Sequence, residues 1–212
     1  MPASNPLLSL WHAIRDGYLR LTEPLVTWCV RAGISPNTLT VLGTLMCAVT
    51  AALFAAGWIR AAGWTLGLTA FFDVIDGAVA RRGGTATVFG SFLDSTLDRV
   101  ADALLFGGLA WFFAADATHG SLWMVGVALV ALSAVQITSY TRAKADALGV
   151  ELKGVGALER PERITLLAAP QAFFGLALDG WVLRGVVILL AVSAVWTVAT
   201  RMQAVARATA GR

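Results

Sequence analysis

Six apolar stretches, near residues 37–58, 62–80, 91–114, 121–142, 163–179 and 182–201, constrain this chain more than any other feature. Each approaches the ~20 residues that a helix needs to cross ~30 Å of hydrocarbon. Only 14% of the 212 residues are charged and 58% are hydrophobic, which leaves too little polar surface for a soluble domain. Ala, Leu and Gly dominate without strict alternation, so the stretches predict helices and exclude a membrane β-barrel. The expected fold is an all-α integral membrane protein: six transmembrane helices preceded by an N-terminal amphipathic interfacial helix.

The basic residues orient it. Arg15, Arg20 and Arg31 precede the first stretch, and Arg81 and Arg82 follow the second. Arg142, Lys144, Lys153, Arg160 and Arg163 surround the link between the fourth and fifth, and Arg201, Arg207 and Arg212 close the chain. The opposite connections hold only Arg60 and Arg184, so the positive-inside rule puts both termini in the cytoplasm of a cell with this multi-pass protein in its inner or plasma membrane. The basic pI then reflects topology and anionic lipid, not nucleic acid, with Lys144, Lys153 and Arg207 facing lipid. Cys29 and Cys47 fall in or beside apolar runs on the reducing side and are expected to be buried thiols.

Two parts follow: residues 1–34, a cytoplasmic amphipathic helix, and residues 35–212, the six-helix membrane domain. In the first, Leu7, Trp11, Ile14, Tyr18, Leu21 and Leu25 recur every three or four residues, with His12, Arg15, Asp16 and Arg20 on the other side. Pro24 kinks or restarts that helix. Gly33 then offers a helix stop, Ser35 an N-cap and Pro36 a first helical position.

The apolar stretches contain what hydrocarbon tolerates least. Asp73 and Asp76 are three residues apart, and Asp94 and Asp98 four apart, so in helices each pair shares one face. An aspartate at the centre of a membrane helix costs about 2.5–3.5 kcal/mol on insertion scales, so four together require compensating charge. The short link between them predicts antiparallel neighbouring helices, with all four carboxylates near one depth. Oxygen-only ligation suits Mg²⁺, Mn²⁺ or Ca²⁺, and four carboxylates suffice for two bridged ions. Two such ions suit phosphoryl transfer, by clamping a diphosphate during in-line displacement. Gly77 and Gly90 lie on or near the carboxylate face, either to admit a ligand or to let helices pack.

The string Asp73-x-x-Asp76-Gly77-x-x-Ala80-Arg81, eight residues, then Gly90-x-x-x-Asp94-x-x-x-Asp98 resembles the signature of the CDP-alcohol phosphotransferases without a departure. Those enzymes are six-helix membrane proteins that transfer a phosphoalcohol from a CDP-alcohol to a hydroxyl, releasing CMP, with Mg²⁺ or Mn²⁺. The resemblance implies that Asp73, Asp76 and Asp94 ligate metal, and that Asp98 joins the second metal and acts as base. It further implies that Gly77, Ala80 and Gly90 border the cytidine, with Arg81 beside it. Asn37 and Thr40 resemble a Pro-Asn segment that faces the nucleotide in relatives, and equally serve as first-turn polar groups. Asp102, outside the signature, is read as a supporting residue or a partner of Arg99.

The stretches FGSFLDSTLDR, SYTRAKADALG and GVGALERPERI are similar to those of one subgroup, the actinobacterial phosphatidylinositol phosphate synthases. That likeness implies CDP-diacylglycerol and inositol 1-phosphate as substrates and a homodimer. It also places an acceptor phosphate on Arg142, Arg160, Arg163 and Arg201, the first being commonly lysine in the subgroup. A doubly charged acceptor beside an anionic CDP-lipid needs several fixed cations, and arginine grips phosphate bidentately; the positive-inside rule alone also accounts for basic residues here. Ser139 and Tyr140 are candidate lining residues. His12 and His119 lie outside the constellation and are expected to be solvated. The nearest rival is a phosphatidylglycerophosphate synthase using glycerol 3-phosphate. A rival of another class, a divalent-cation transporter, conflicts with carboxylates confined near one face and no second polar layer beyond them.

Overall fold

The computed structural model describes residues 23–84 and 87–210, the side chains of Asp73 and Val74 excepted. The expected stripe from Leu7 to Leu21, with His12, Arg15, Asp16 and Arg20, therefore lies outside the described residues, as does the side chain of Asp73. The described residues form seven helices and no strand: α1 (23–31), α2 (Pro36–Ala55), α3 (Ile59–Gly83), α4 (Val88–Ala115), α5 (Leu122–Ala147), α6 (Arg160–Phe174) and α7 (Trp181–Thr209).

The helix boundaries follow local chemistry. Gly33 takes a φ of 69°, Ser35 accepts a hydrogen bond from the Thr38 amide, and Pro36 opens α2, as its sequence predicts. Thr87 caps α4 through the Gly90 amide at 2.9 Å, and Gly84 at φ 61° ends α3. Before α6, the Glu159 amide donates to the Glu162 carboxylate at 2.8 Å.

Three helices, α2, α5 and α7, are long and apolar enough to cross a membrane. The predicted stretch 163–179 is helical only to Phe174. Gly175 (φ 56°), Leu178 (φ 56°), Asp179 (φ 55°) and Gly180 (φ 70°) turn the chain there, although the composition stays apolar.

The six longer helices pack in a closed ring: α2 beside α3, then α6, α7, α5, α4 and α2 again. Phe54, Leu66, Leu105, Leu109, Phe112, Phe113, Leu167, Leu183 and Leu190 are fully buried at its centre. Two glycines allow the closest approaches: a Cβ on Gly63 would collide with the α6 backbone at Gln171–Ala172, and one on Gly108 with the α2 backbone at Ala51. The α1 helix lies on the outside of α2 and α3, burying Val26 and Cys29 with Leu39, Ile75 and Val79, and Glu23 pairs with Arg82. Both cysteines are free and buried, as expected. All seven described tryptophans, Trp28, Trp58, Trp64, Trp111, Trp123, Trp181 and Trp196, are exposed, where lipid or its interface would meet them.

The expectation of a solvated His119 is wrong. Its ring stacks on Phe112 at 6.2 Å between centroids, with Nδ1 3.2 Å from Asp116 and Nε2 3.7 Å from Asp179. Its carbonyl accepts from Arg184 at 3.2 Å. The turn between α4 and α5 is thereby clasped to the turn between α6 and α7. The His119 amide, with that of Thr118, holds the Asp116 carboxyl below its ordinary value against the opposing effect of burial.

Candidate active site

The signature aspartates are carried by α3 and α4. Among the described residues α3 and α4 make no direct packing contact; each leans on α2. The expectation of antiparallel neighbours is corrected accordingly, and the physical reason is charge: carboxylates on facing helices repel at packing distance, whereas helices splayed around α2 leave space for what neutralises them. Asp76, only 8% exposed, accepts a hydrogen bond from the Thr40 hydroxyl of α2 at 2.9 Å. That hydroxyl also lies 3.1 Å from the Pro36 carbonyl; its single proton favours the charged acceptor. Thr40 thus orients a carboxylate. Asp94 is exposed near the start of α4, and Asp98 is partly buried one turn later.

The two signature glycines are close to other candidate residues. The Arg81 guanidinium folds back over Gly77, with Nη1 3.2 Å from where a Cβ would stand. At Gly90 a Cβ would stand 3.0 Å from both the Asn37 Oδ1 and the Thr87 hydroxyl, so the Asn37 amide occupies the space a side chain would need. A cavity of about 260 Å³ is lined in part by Pro36, Asn37, Val79 and Thr87, and by neither signature glycine. Ala80 is partly buried on α3 and does not line it; its carbonyl accepts from the Gly84 amide and closes the helix.

The four arginines converge. Arg142 of α5, Arg160 and Arg163 of α6 and Arg201 of α7 line one cavity of about 640 Å³ with Asp98 of α4. Ser139 and Tyr140 line it too. Arg160 Nη2 is 3.0 Å from Asp98 Oδ1. Arg163 and Arg201 are each 7% exposed. Arg201 is partly committed elsewhere: Nε donates to the Val155 carbonyl at 3.0 Å and Nη1 to the Thr138 carbonyl at 2.6 Å. It therefore fastens α7 to α5 and to the loop before α6 while lining the cavity. Arg99 pairs with Asp102 at 3.2 Å, as its sequence position suggests.

Gln136, Glu159 and Ser95 also line the cavity and were not legible as site residues. Gln136 had a signal: it is the amide side chain of an otherwise apolar stretch, one turn before Ser139 and Tyr140. Glu159 is readable as a helix start, not as a lining residue.

Among the described residues, which exclude the Asp73 side chain, no three ligating side chains stand close enough to hold a metal ion, but the donor chemistry is the kind that hard divalent cations take. Asp76 and Asp98 present carboxylates from different helices, Asp94 adds a third on the face of Asp98, and Thr40 fixes the first.

The sequence model of the CDP-alcohol phosphatidyltransferases matches residues 33–204. The phosphatidylinositol phosphate synthase of Mycobacteroides abscessus is 40% identical over 192 residues, covering 90% of this chain and 86% of the relative. The synthase of that name from Cutibacterium acnes is 36% identical over 202 residues, covering 92% and 96%. Among solved structures, the Mycobacterium tuberculosis phosphatidylinositol phosphate synthase with CDP-DAG bound superposes with a TM-score of 0.79 at 34% identity, covering 88% of this chain and 94% of that one. Its complex with manganese and citrate gives 0.77 at 35% identity, covering 87% and 88%.

Proposed function

This chain belongs to the CDP-alcohol phosphatidyltransferase family, and from that premise we propose that it is a phosphatidylinositol phosphate synthase, moving the phosphatidyl group of CDP-diacylglycerol onto inositol 1-phosphate. The observation that carries the acceptor is the meeting of Arg142, Arg160, Arg163 and Arg201 with Asp98 in one cavity. Three helices each contribute at least one guanidinium to a space that opens onto a carboxylate of the signature. Such a space suits a small molecule with a phosphate at one end and a reacting hydroxyl at the other. The relatives named for this activity support the same reading.

The residues divide the work. The arginines grip the acceptor phosphate and set the ring so that one hydroxyl points toward Asp98. Asp98 takes the proton of that hydroxyl as its oxygen bonds to the phosphatidyl phosphorus; the bond from that phosphorus to the CMP oxygen breaks, and CMP leaves. Asn37, Gly77, Ala80, Arg81 and Gly90 border the nucleotide, the glycines by letting the Arg81 guanidinium and the Asn37 amide lie close against the helices. Thr40 steadies Asp76. Two Mg²⁺ or Mn²⁺ ions, held by Asp73, Asp76, Asp94 and Asp98, would neutralise the diphosphate and the charge that develops on CMP. A carboxylate near divalent metal is a weak base, so Asp98 acts by placement as much as by basicity.

Six spans, α2 to α7, with the site and both termini on the cytoplasmic side of the cell membrane, agree with the distribution of arginines and with Trp58, Trp64 and Trp181 near the opposite ends of their helices. Residues 1–34 would form the interfacial segment and 35–212 the catalytic domain, the whole acting as a homodimer.

The deciding assay is CMP release from CDP-diacylglycerol in Mg²⁺, with inositol 1-phosphate, inositol, glycerol 3-phosphate and serine offered separately. Release with inositol 1-phosphate alone is the expected result; preference for glycerol 3-phosphate would move the acceptor, and uptake of metal into vesicles without nucleotide would revive a transporter. Arg163→Ala should raise KM for the phosphorylated acceptor by about tenfold or more, the cost of removing one charged partner from a buried pair, and leave KM for the CDP-lipid nearly unchanged. Equal loss of both would remove Arg163 from the acceptor subsite.

A further inference from the structure

Asp102 lies one turn beyond Asp98 on α4, is 3% exposed, and is outside the spaced motif and outside the lining of the large cavity. A carboxylate that deep is stable only among cations. Arg99 and Arg160 supply them: Arg99 Nη1 stands 3.2 Å from Oδ2, and Arg160 Nε 4.0 Å from Oδ1. The same two guanidiniums extend toward Asp98, Arg160 at 3.0 Å and Arg99 at 4.0 Å. Asp98, Arg160, Asp102 and Arg99 thus alternate in sign around a closed ring.

The α5 helix completes the support. Arg99 donates to Ser139, and Gln136 donates to the Arg99 carbonyl at 3.0 Å. Arg99 and Arg160 also share the lining of one cavity with Arg163 and Arg201. Without Asp102, several guanidiniums would crowd one region with too little negative charge to hold them together. Arg160 would then lose its contact with Asp102 and be held less firmly, and a guanidinium on a flexible stem adopts many rotamers.

We infer that Asp102 is a positioning residue of the acceptor subsite, holding Arg160 and Arg99 beneath the cavity so that Arg160 faces both Asp98 and the incoming phosphate. This rests on the reading of that cavity as the subsite for a phosphorylated acceptor. Asp102 touches no substrate; it acts through Arg160. Its effect therefore falls on acceptor affinity and not on the CDP-lipid.

The test is titration calorimetry of the purified protein with inositol 1-phosphate in Mg²⁺, alongside steady-state CMP release. Asp102→Asn should weaken acceptor binding and raise acceptor KM by about tenfold or more, as loss of one member of a buried charge pair does, with KM for CDP-diacylglycerol within about twofold. Asp102→Glu, which keeps the charge, should recover most of the affinity. In an Arg160→Met background the Asp102→Asn change should add nothing. Acceptor affinity unchanged in Asp102→Asn, or a full further loss in the Arg160→Met background, overturns the inference. Should Asp102→Asn alone not fold, the double variant compared with Arg160→Met decides it, because both charges are removed together. Wild-type titrations with glycerol 3-phosphate and with inositol separate the two ideas. A wild type that binds only an unphosphorylated alcohol ends the acceptor reading and this inference with it. A wild type that binds a phosphorylated acceptor, beside an indifferent Asp102→Asn, ends the inference alone.

Discussion

Asp98→Asn is expected to slow CMP release by about 10²- to 10⁴-fold, the range contributed by a positioned general base, while the purified protein keeps its thermal midpoint. Asparagine preserves the shape and removes the charge that receives Arg160 at 3.0 Å. Two effects should therefore separate. The chemical step loses its proton acceptor together with a carboxylate of the metal set, and Arg160, freed from one side of its ring, holds the acceptor less firmly, so acceptor KM rises as well. Single-turnover CMP release at saturating acceptor isolates the first effect. A loss smaller than about tenfold there would take the base role away from Asp98 and leave it as a partner of Arg160.

The largest structural effect is expected at Gly63. A valine there would place its Cβ on the α6 backbone at Gln171–Ala172, and a backbone, unlike the end of a side chain, cannot swing aside. Forcing the helices apart costs about 1–3 kcal/mol in typical overpacked cores, which corresponds to a fall of roughly 2–12 °C in thermal midpoint for a protein of this size. Gly67, one turn later on α3 with nothing within 4 Å of its would-be Cβ, is the internal control. Gly67→Ala should melt within about a degree of wild type or slightly higher, since alanine favours a helix more than glycine does. A Gly63→Val protein that melts with the wild type would mean that α3 and α6 do not meet as closely as described.

What was legible in the sequence is what composition and spacing encode. The apolar stretches placed helices α2 to α7, Ser35 and Pro36 marked the start of α2, and the aspartate spacing put Asp94 and Asp98 on one face. Arg142, Arg160, Arg163 and Arg201 were gathered on one acceptor phosphate by resemblance, because the packing that brings α5, α6 and α7 to one cavity is specified by no local pattern. The separation of α3 from α4 was misjudged because a short link suggests contact, whereas both helices find their apolar partner in α2. His119 was misjudged for a similar reason: its partners Asp179 and Arg184 lie some sixty residues away in the chain. The early end of α6 was invisible to hydropathy because Leu176, Ala177 and Leu178 are as apolar as the helix they terminate.

That early end bears on the lipid around the protein. The fifteen residues of α6 reach about 22 Å at ~1.5 Å per residue, short of the ~30 Å of an average hydrocarbon layer. In the six-span arrangement the chain continues from α6 into the turn at 175–180, where the Gly175 amide bonds to Gln171, that of Ala177 to Phe174 and that of Gly180 to Leu176. Phe173, Phe174, Leu178 and Trp181 are exposed around it. With the Asp179 side chain 71% exposed in it, this turn belongs at headgroup level, so this corner of the protein is matched to a thinner bilayer than its neighbours. Lipids beside it must compress or tilt their chains, and host membranes of longer acyl chains will strain the protein first at α6, the helix that brings Arg160 and Arg163 to the cavity.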